Sequence, residues 1–224
     1  MTDDPWLLAG FFGLAGYAIG STPFGALIAS AHGKDLRRSG SGNVGATNVG
    51  RVVGRGWGYL CFALDAAKGL APSLVAGAVL NAWDGTPTAP EQAAWLAAGC
   101  GTILGHVFSF WLRFRGGKGV ATSLGVVLGV YPYFTFVGLV ALGLWVAVTL
   151  IGRMVSLGSI VAAVAFVPLF AGLGWLLQWD LAALWPLMIF AGAMAGLILF
   201  RHRANIRRLL AGTENRIGRA RNQG

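Results

Sequence analysis

Seven long apolar runs constrain this chain most, at roughly 5–29, 57–80, 92–111, 119–133, 135–152, 157–178 and 182–200. A helix that crosses the ~30 Å hydrocarbon core of a bilayer needs about 20 mostly apolar residues. In lipid every backbone N–H and C=O must be paired inside the protein, which a helix achieves by itself. Only 11% of the 224 residues are charged, against about 25% in a typical soluble domain. A soluble fold could bury one or two such helices, but not seven. The runs predict an all-α integral membrane bundle of seven transmembrane helices. The fourth run is short, and its border with the fifth, near Tyr131-Pro132-Tyr133, is not sharply marked. The first run follows Met1-Thr2-Asp3-Asp4, without a positive leader, and exceeds the about 7–15 apolar residues of a cleavable signal.

Charge supplies the orientation. Of the 17 basic residues, 16 fall in segments on one side of the predicted bundle. These are Lys34, Arg37, Arg38, Arg51 and Arg55; Arg113, Arg115 and Lys118; Arg153; and seven arginines from Arg201 onward. Lys68 alone lies inside a run. The opposite segments carry Asp3, Asp4, Asp84, Glu91 and Asp180, and no Lys or Arg. By the positive-inside rule the basic side is cytoplasmic. Seven spans then place the N-terminus outside and the C-terminus in the cytoplasm. Residues 1–224 read as a single transmembrane domain, with 201–224 a basic cytoplasmic segment and no internal repeat. Anionic headgroups of the lipid bilayer account for the net charge of +9, and no nucleic-acid partner is expected. Cys61 and Cys100 fall in runs without metal-ligand spacing, so they read as small buried hydrophobes; no metal or cofactor is expected. The 35 glycines are spread through the runs, where small residues let helices approach closely.

Three polar constellations interrupt the basic side. The first, Gly40-Ser41-Gly42-Asn43-Val44-Gly45, matches a dinucleotide fingerprint with Asp65 beyond it. It follows an Arg-Arg turn and leads into an apolar run, so it lacks the strand and βαβ unit that the fingerprint requires. Glycines can still let backbone N–H groups converge on an anion. Ser41, Asn43, Thr47 and Asn48 add neutral donors and Arg51 adds charge. The second runs from Gly105-His106 to Gly116-Gly117-Lys118-Gly119, and is not a Walker loop because Gly119 stands where Ser or Thr is needed. A helix opening at Lys118 would aim free N–H groups and an ammonium at the same anion. His106 sits at the end of an apolar run, where ionisable groups point to function or to a hydrogen-bonded packing role. The third is split between Arg153–Ser159 and Arg201–Glu214, with Ser156, Ser159, His202 and Asn205 as polar members. His202 and Asn205 are spaced to share a helix face. Asp65 and Lys68, also three apart, read as a buried structural pair, with steering of a loop as the alternative.

These strings, in this order, resemble the acyl-phosphate-dependent glycerol-3-phosphate acyltransferases of the bacterial inner membrane. The matching segments are Gly-Ser-Gly-Asn-Val-Gly-Ala-Thr-Asn at 40–48, Gly-His-Val-Phe at 105–108, Gly-Gly-Lys-Gly-Val-Ala-Thr at 116–122 and His-Arg-Ala-Asn-Ile-Arg-Arg-Leu-Leu at 202–210. Asp-Ala-Ala-Lys-Gly at 65–69 and Ser-Leu-Gly-Ser at 156–159 are similar too, and the likeness covers about 16–217. Two positions depart from it: Ser109 stands where the family usually has proline, and the tail beyond about Gly218 has no counterpart.

The resemblance implies a multi-pass inner-membrane enzyme with its active site facing the cytoplasm. It implies acyl transfer from a long-chain acyl phosphate to the 1-hydroxyl of sn-glycerol 3-phosphate, giving lysophosphatidate and inorganic phosphate, the first step of phospholipid synthesis. A peripheral enzyme that makes acyl phosphate is a candidate partner. The catalytic residues expected are His106, Lys118 and Asn205. Substrate binding is expected at Ser41, Asn43, Arg51, Gly116, Gly117, Ser156, Ser159 and His202. Either His106 or a substrate phosphate oxygen could take the hydroxyl proton. A transporter for a small organic phosphate is the rival class, since anion-binding motifs between spans would suit it equally.

Overall fold

A computed structural model describes residues 4–217. Arg219 and Arg221, expected as headgroup anchors, lie outside them. The described residues are helical and contain no strand. The elements are α1 (Pro5–Gly20), α2 (Phe24–Ala31), α3 (Ala46–Val52), α4 (Arg55–Val79), α5 (Ala89–Val107), α6 (Val120–Gly129), α7 (Tyr133–Gly152), α8 (Val155–Leu176), α9 (Trp185–Arg201) and α10 (Arg203–Leu210). Five segments are long and apolar enough to cross a membrane, or six if α9 and α10, bent by 60°, form one. Every predicted run holds a helix, but length alone does not carry seven crossings. At 1.5 Å per residue the ten residues of α6 reach about 15 Å, half a bilayer core.

Two departures from the predicted spans have local causes. The first run breaks at Ser21-Thr22-Pro23, because Pro23 cannot donate to the α1 ladder and opens α2 instead. The fourth, α6, stops at Gly129 rather than 133, because Pro132 cannot donate to its ladder and opens α7 instead. Gly119 precedes the helix with φ 84°, a left-handed conformation that glycine adopts without a Cβ penalty. Beside it, Gly69 and Gly125 lie where an added Cβ would strike the facing backbone, so α6 packs tightly on the distal half of α4.

Helix α5 is the axis of the bundle. Along α1, Gly16 and Gly20 meet the backbone of Ala98 and Thr102 so closely that no Cβ would fit, and Gly101 and Gly105 return the same contact from α5. Small-residue packing of this kind substitutes for the hydrophobic effect, which is weak between helices in lipid. Away from the basic loops, Phe134 stacks among Phe166, Phe170 and Phe190 with ring centroids 5.4–6.0 Å apart. Leu14, Leu150, Ile151 and Trp175 project outward, as side chains facing lipid should. Contacts tie the basic segments together at one end: Arg37 donates to the Arg115 carbonyl, Arg201 to those of Gly116 and Gly117, and Arg153 to that of Ile217.

Candidate active site

The first polar loop is shaped by a side chain expected to face a ligand. Asn48 is buried, and its amide nitrogen reaches the carbonyls of Leu36, Ser39 and Asn43 at 2.8–3.1 Å. Its oxygen accepts the Ser41 N–H at 2.8 Å. Asn48 therefore spends its polar capacity folding the loop, and is not the free donor expected of it. Asn43 closes a turn by accepting the Gly45 N–H with its side-chain oxygen, which leaves its amide N–H groups available. Ser41 is exposed. Neither Ser41 nor Asn43 makes a hydrogen bond to the Lys118 loop among the described residues.

The glycine loop also differs from expectation. The N–H groups of Gly116 and Gly117 donate to Val107 and His106, at 3.0 and 3.1 Å. Those carbonyls end α5 and have no partner within the helix, so the loop satisfies them. The N–H groups of these two glycines, expected in substrate binding, are thus committed to α5. What they contribute is close approach: a Cβ at Gly116 would strike the His106 carbonyl, and one at Gly117 the His106 ring at Nε2. Their own carbonyls accept Arg201 at 3.1 and 3.0 Å. The N–H groups of the first turn of α6 remain unpaired by the helix itself.

Lys118 leaves this loop toward the third constellation. Its ammonium donates to Asn205 Oδ1 at 2.5 Å. Asn205 in turn donates to Glu214 at 2.8 Å, and Ser156 donates to the same carboxylate oxygen at 3.0 Å. Arg208 pairs with the other oxygen at 2.8 Å. Burial lowers the Lys118 pKa to about 8; Glu214 opposes the shift, while Arg208, Arg51 and Arg201 add to it. Burial works against the charge of Glu214, but hydrogen bonds from Asn205, Arg208 and Ser156 hold its carboxyl below the usual range. His202 is buried, and its pKa falls to about 4 through burial and the nearby Lys118 charge. It is thus neutral at physiological pH. Its Nδ1 lies 2.8 Å from the Ile198 carbonyl, which assigns the proton there and leaves Nε2 as an acceptor.

The structure therefore gathers Lys118, Asn205, Ser156, His202 and Arg51 around one mouth. Ser159 is turned away: it donates to the Val155 carbonyl and accepts Trp145 Nε1 at 3.1 Å. His106 lies beneath the glycine loop, with Nδ1 3.5 Å from Asp65. Sequence reasoning missed Glu214, which ties Asn205, Ser156 and Arg208 together. Its signal was available: it is the only acid between Arg201 and the end of the chain. The described residues contain no group of three or more His, Cys, Asp or Glu that could hold a metal.

Comparison with known proteins places the chain among relatives. A family model described as "Glycerol-3-phosphate acyltransferase" matches residues 10–212. Proteins named glycerol-3-phosphate acyltransferase are similar along almost their whole length. The Thermosynechococcus vestitus protein is 40% identical, over 95% of this chain and 96% of its own. The Mesorhizobium japonicum protein is 44% identical, over 91% and 93%. Among solved structures, PlsY, an integral membrane glycerol 3-phosphate acyltransferase, in its glycerol 3-phosphate form superposes with a TM-score of 0.79. It is 38% identical, with 94% of this chain and 96% of that one covered. Its lysophosphatidic acid form gives a TM-score of 0.75 at 37% identity, covering 94% and 95%.

Proposed function

Because this chain belongs to the glycerol-3-phosphate acyltransferase family, we propose that it moves a fatty acyl group from acyl phosphate to the 1-hydroxyl of sn-glycerol 3-phosphate. The hydroxyl oxygen bonds to the acyl carbon, the bond from that carbon to the phosphate oxygen breaks, and inorganic phosphate leaves. The observation that carries this reading is the mouth itself. Lys118, Asn205 and Ser156 are linked through Glu214, with Arg51, Arg201 and Arg208 near enough to act on the Lys118 charge, where apolar helices meet the basic loops. Phosphates can sit among those cations while the acyl chain stays among the helices.

The residues divide the work in this scheme, and Lys118 serves twice. Lys118 and Arg51 neutralise phosphate charge, and Ser41, with the free amide of Asn43, serves as neutral donor from the first loop. Asn205, Ser156 and His202 Nε2 orient the glycerol hydroxyls. Gly116 and Gly117 permit the close approach of the loop to α5. Alignment of the hydroxyl against the acyl carbon supplies roughly 7–11 kcal/mol of the barrier reduction. A donor aimed at the developing oxyanion adds about 3–4 kcal/mol, and Lys118 is our assignment for it. The hydroxyl proton passes to a substrate phosphate oxygen rather than to His106, whose ring is enclosed between Asp65 and Gly117.

The same reading gives the topology. Seven crossings follow if the short helix α6 makes the fourth. Support comes from the place of α6 beside Ala66–Ser73, in the half of α4 away from Arg55. The chain is then one domain of the bacterial inner membrane, with its N-terminus outside and its C-terminus and site in the cytoplasm. A peripheral enzyme that forms acyl phosphate could feed that face.

The test is phosphate release by purified protein given glycerol 3-phosphate and palmitoyl phosphate, with palmitoyl-CoA as the parallel donor. Release that requires both substrates and yields lysophosphatidate is expected. Product from palmitoyl-CoA alone would overturn the donor, and none from either donor by folded protein would overturn the reaction.

A further inference from the structure

Four buried polar side chains lie outside the mouth and take no part in the scheme above. Asp65 and Lys68 come from α4, His106 from the end of α5, and Ser109 from the turn that follows it. Each is less than one-tenth exposed. Lys68 Nζ lies 2.8 Å from Asp65 Oδ1 and donates to the Thr22 carbonyl at 2.8 Å. Ser109 donates to the Ser21 carbonyl at 2.6 Å. Asp65 Oδ1 also faces His106 Nδ1 at 3.5 Å, and the opposite edge of that ring abuts Gly117. The same residues line a small cavity of about 10 Å³.

The two ends of this network have one thing in common: each meets irregular backbone. The carbonyls of Ser21 and Thr22 lie at the break between α1 and α2, with Pro23 next. Gly117 belongs to the loop that carries Lys118. A break inside a membrane bundle is tolerated only where its polar groups are satisfied by the protein. Lys68 and Ser109 do this for the break, while Asp65 and His106 brace the loop. The 2.8 Å contact between Lys68 and Asp65 is a charge contact lying off the hydrogen-bond direction, since Oδ1 has no aligned donor. Better packing could have been had from apolar residues, because a buried ion pair rarely exceeds a hydrophobic replacement in stability.

We propose that Asp65, Lys68, His106 and Ser109 form a bracket that sets the position of the Gly116–Lys118 loop from the α1–α2 break. They are positioning residues, acting on Lys118 through the loop. The assignment rests on Lys118 as the phosphate-binding residue, but its structural content is independent of any reaction. It also gives a use to Ser109: its hydroxyl holds a carbonyl that proline at this position could not reach.

The test compares full-length Lys68→Met, Ser109→Ala and the charge-neutral double variant Asp65→Asn/Lys68→Met. Two readouts are needed: amide hydrogen exchange at residues 116–119 without substrate, and steady-state kinetics. In the double variant, melting temperature should return toward the parent value. Exchange at Gly116 and Gly117 should stay at least several-fold faster, and KM for glycerol 3-phosphate should stay roughly tenfold higher, with kcat changed less than about threefold. Recovery of both stability and loop protection in the double variant would reduce the network to an ion pair and overturn the proposal. If that variant fails to fold, Ser109→Ala decides. Faster exchange at both 21–24 and 116–119 supports the bracket; a change confined to 21–24 overturns it. The exchange readout stands even if the acyltransferase assignment fails.

Discussion

The mouth and the bracket are both clusters of charge, yet they solve opposite problems. At the mouth, Lys118 has Arg51, Arg201 and Arg208 nearby and one carboxylate, Glu214, so burial, aided by the neighbouring cations, lowers its pKa to about 8. In the bracket, Asp65 faces one lysine and one histidine, with charges near balance and every member enclosed. An excess of cations is costly to assemble and is relieved when an anion arrives. A balanced cluster has nothing to gain from a ligand. The first is built to bind phosphate and the second to hold backbone, and this difference makes the two separable by experiment.

Loss of Lys118 should have the largest effect. Lys118→Ala removes the central cation but leaves Asn205, Ser156 and Arg208 on Glu214, so the fold should persist. Turnover in the phosphate-release assay should fall about 10³-fold, the scale of losing a preorganised donor to a developing charge. Near-normal turnover would remove Lys118 from the site and erase the distinction between the two clusters.

His106→Ala asks whether the bracket does chemistry. Held under Gly117 and against Asp65, the ring should orient the loop and not take a proton. KM for glycerol 3-phosphate should rise about tenfold while kcat stays within about threefold, a pattern of lost positioning. A kcat loss approaching that of Lys118→Ala would make His106 the base.

Much of this arrangement was legible in the sequence, and the failures have physical causes. The apolar runs gave every long helix, and the basic segments do meet at one end. Hydropathy counts apolar residues, however, and not how many of them stay helical, so the run 119–133 read as a span although its helix, α6, holds only ten residues. Pro23 signalled a break that its apolar surroundings concealed. Ser156, Asn205 and Lys118 converge as their motifs implied. The direction of the Gly116 and Gly117 N–H groups could not be read, because it depends on carbonyls left unpaired at the end of α5. Asn48 misled for a related reason: an amide suited to a ligand is equally suited to the loop that carries it.

The depressed Lys118 pKa sharpens the contrast through pH. Lysine binds phosphate only when protonated, so kcat/KM should decline several-fold between pH 7 and 9, with a midpoint near 8. The substrate phosphate, with a second pKa of about 6, is already fully ionised there. Stability should move the other way. Between about 8 and the ordinary lysine value of 10.5, the unfolded chain binds the proton that the folded one has released. Unfolding free energy contributed by Lys118 therefore rises with pH across that window. Melting temperature and activity measured on the same samples should diverge above pH 8, and Lys118→Met should abolish the rise in stability. Parallel decline of both would place the titration elsewhere.

The smallest effect separates two serines on one helix. Ser156 donates to Glu214 at the mouth, whereas Ser159, one turn along, is committed to Val155 and Trp145. Ser156→Ala should loosen Glu214 and lower kcat/KM about fivefold, the scale of one hydrogen bond worth about 1 kcal/mol. Ser159→Ala should change kcat/KM by less than about twofold, because its hydroxyl answers only to its own helix and an indole N–H. The two were alike in sequence, both placed on the polar wall around glycerol phosphate. If Ser159→Ala proves the more damaging, its hydroxyl must leave Trp145 when substrate binds, and the mouth extends a turn deeper into the bundle than Lys118 and Glu214 define.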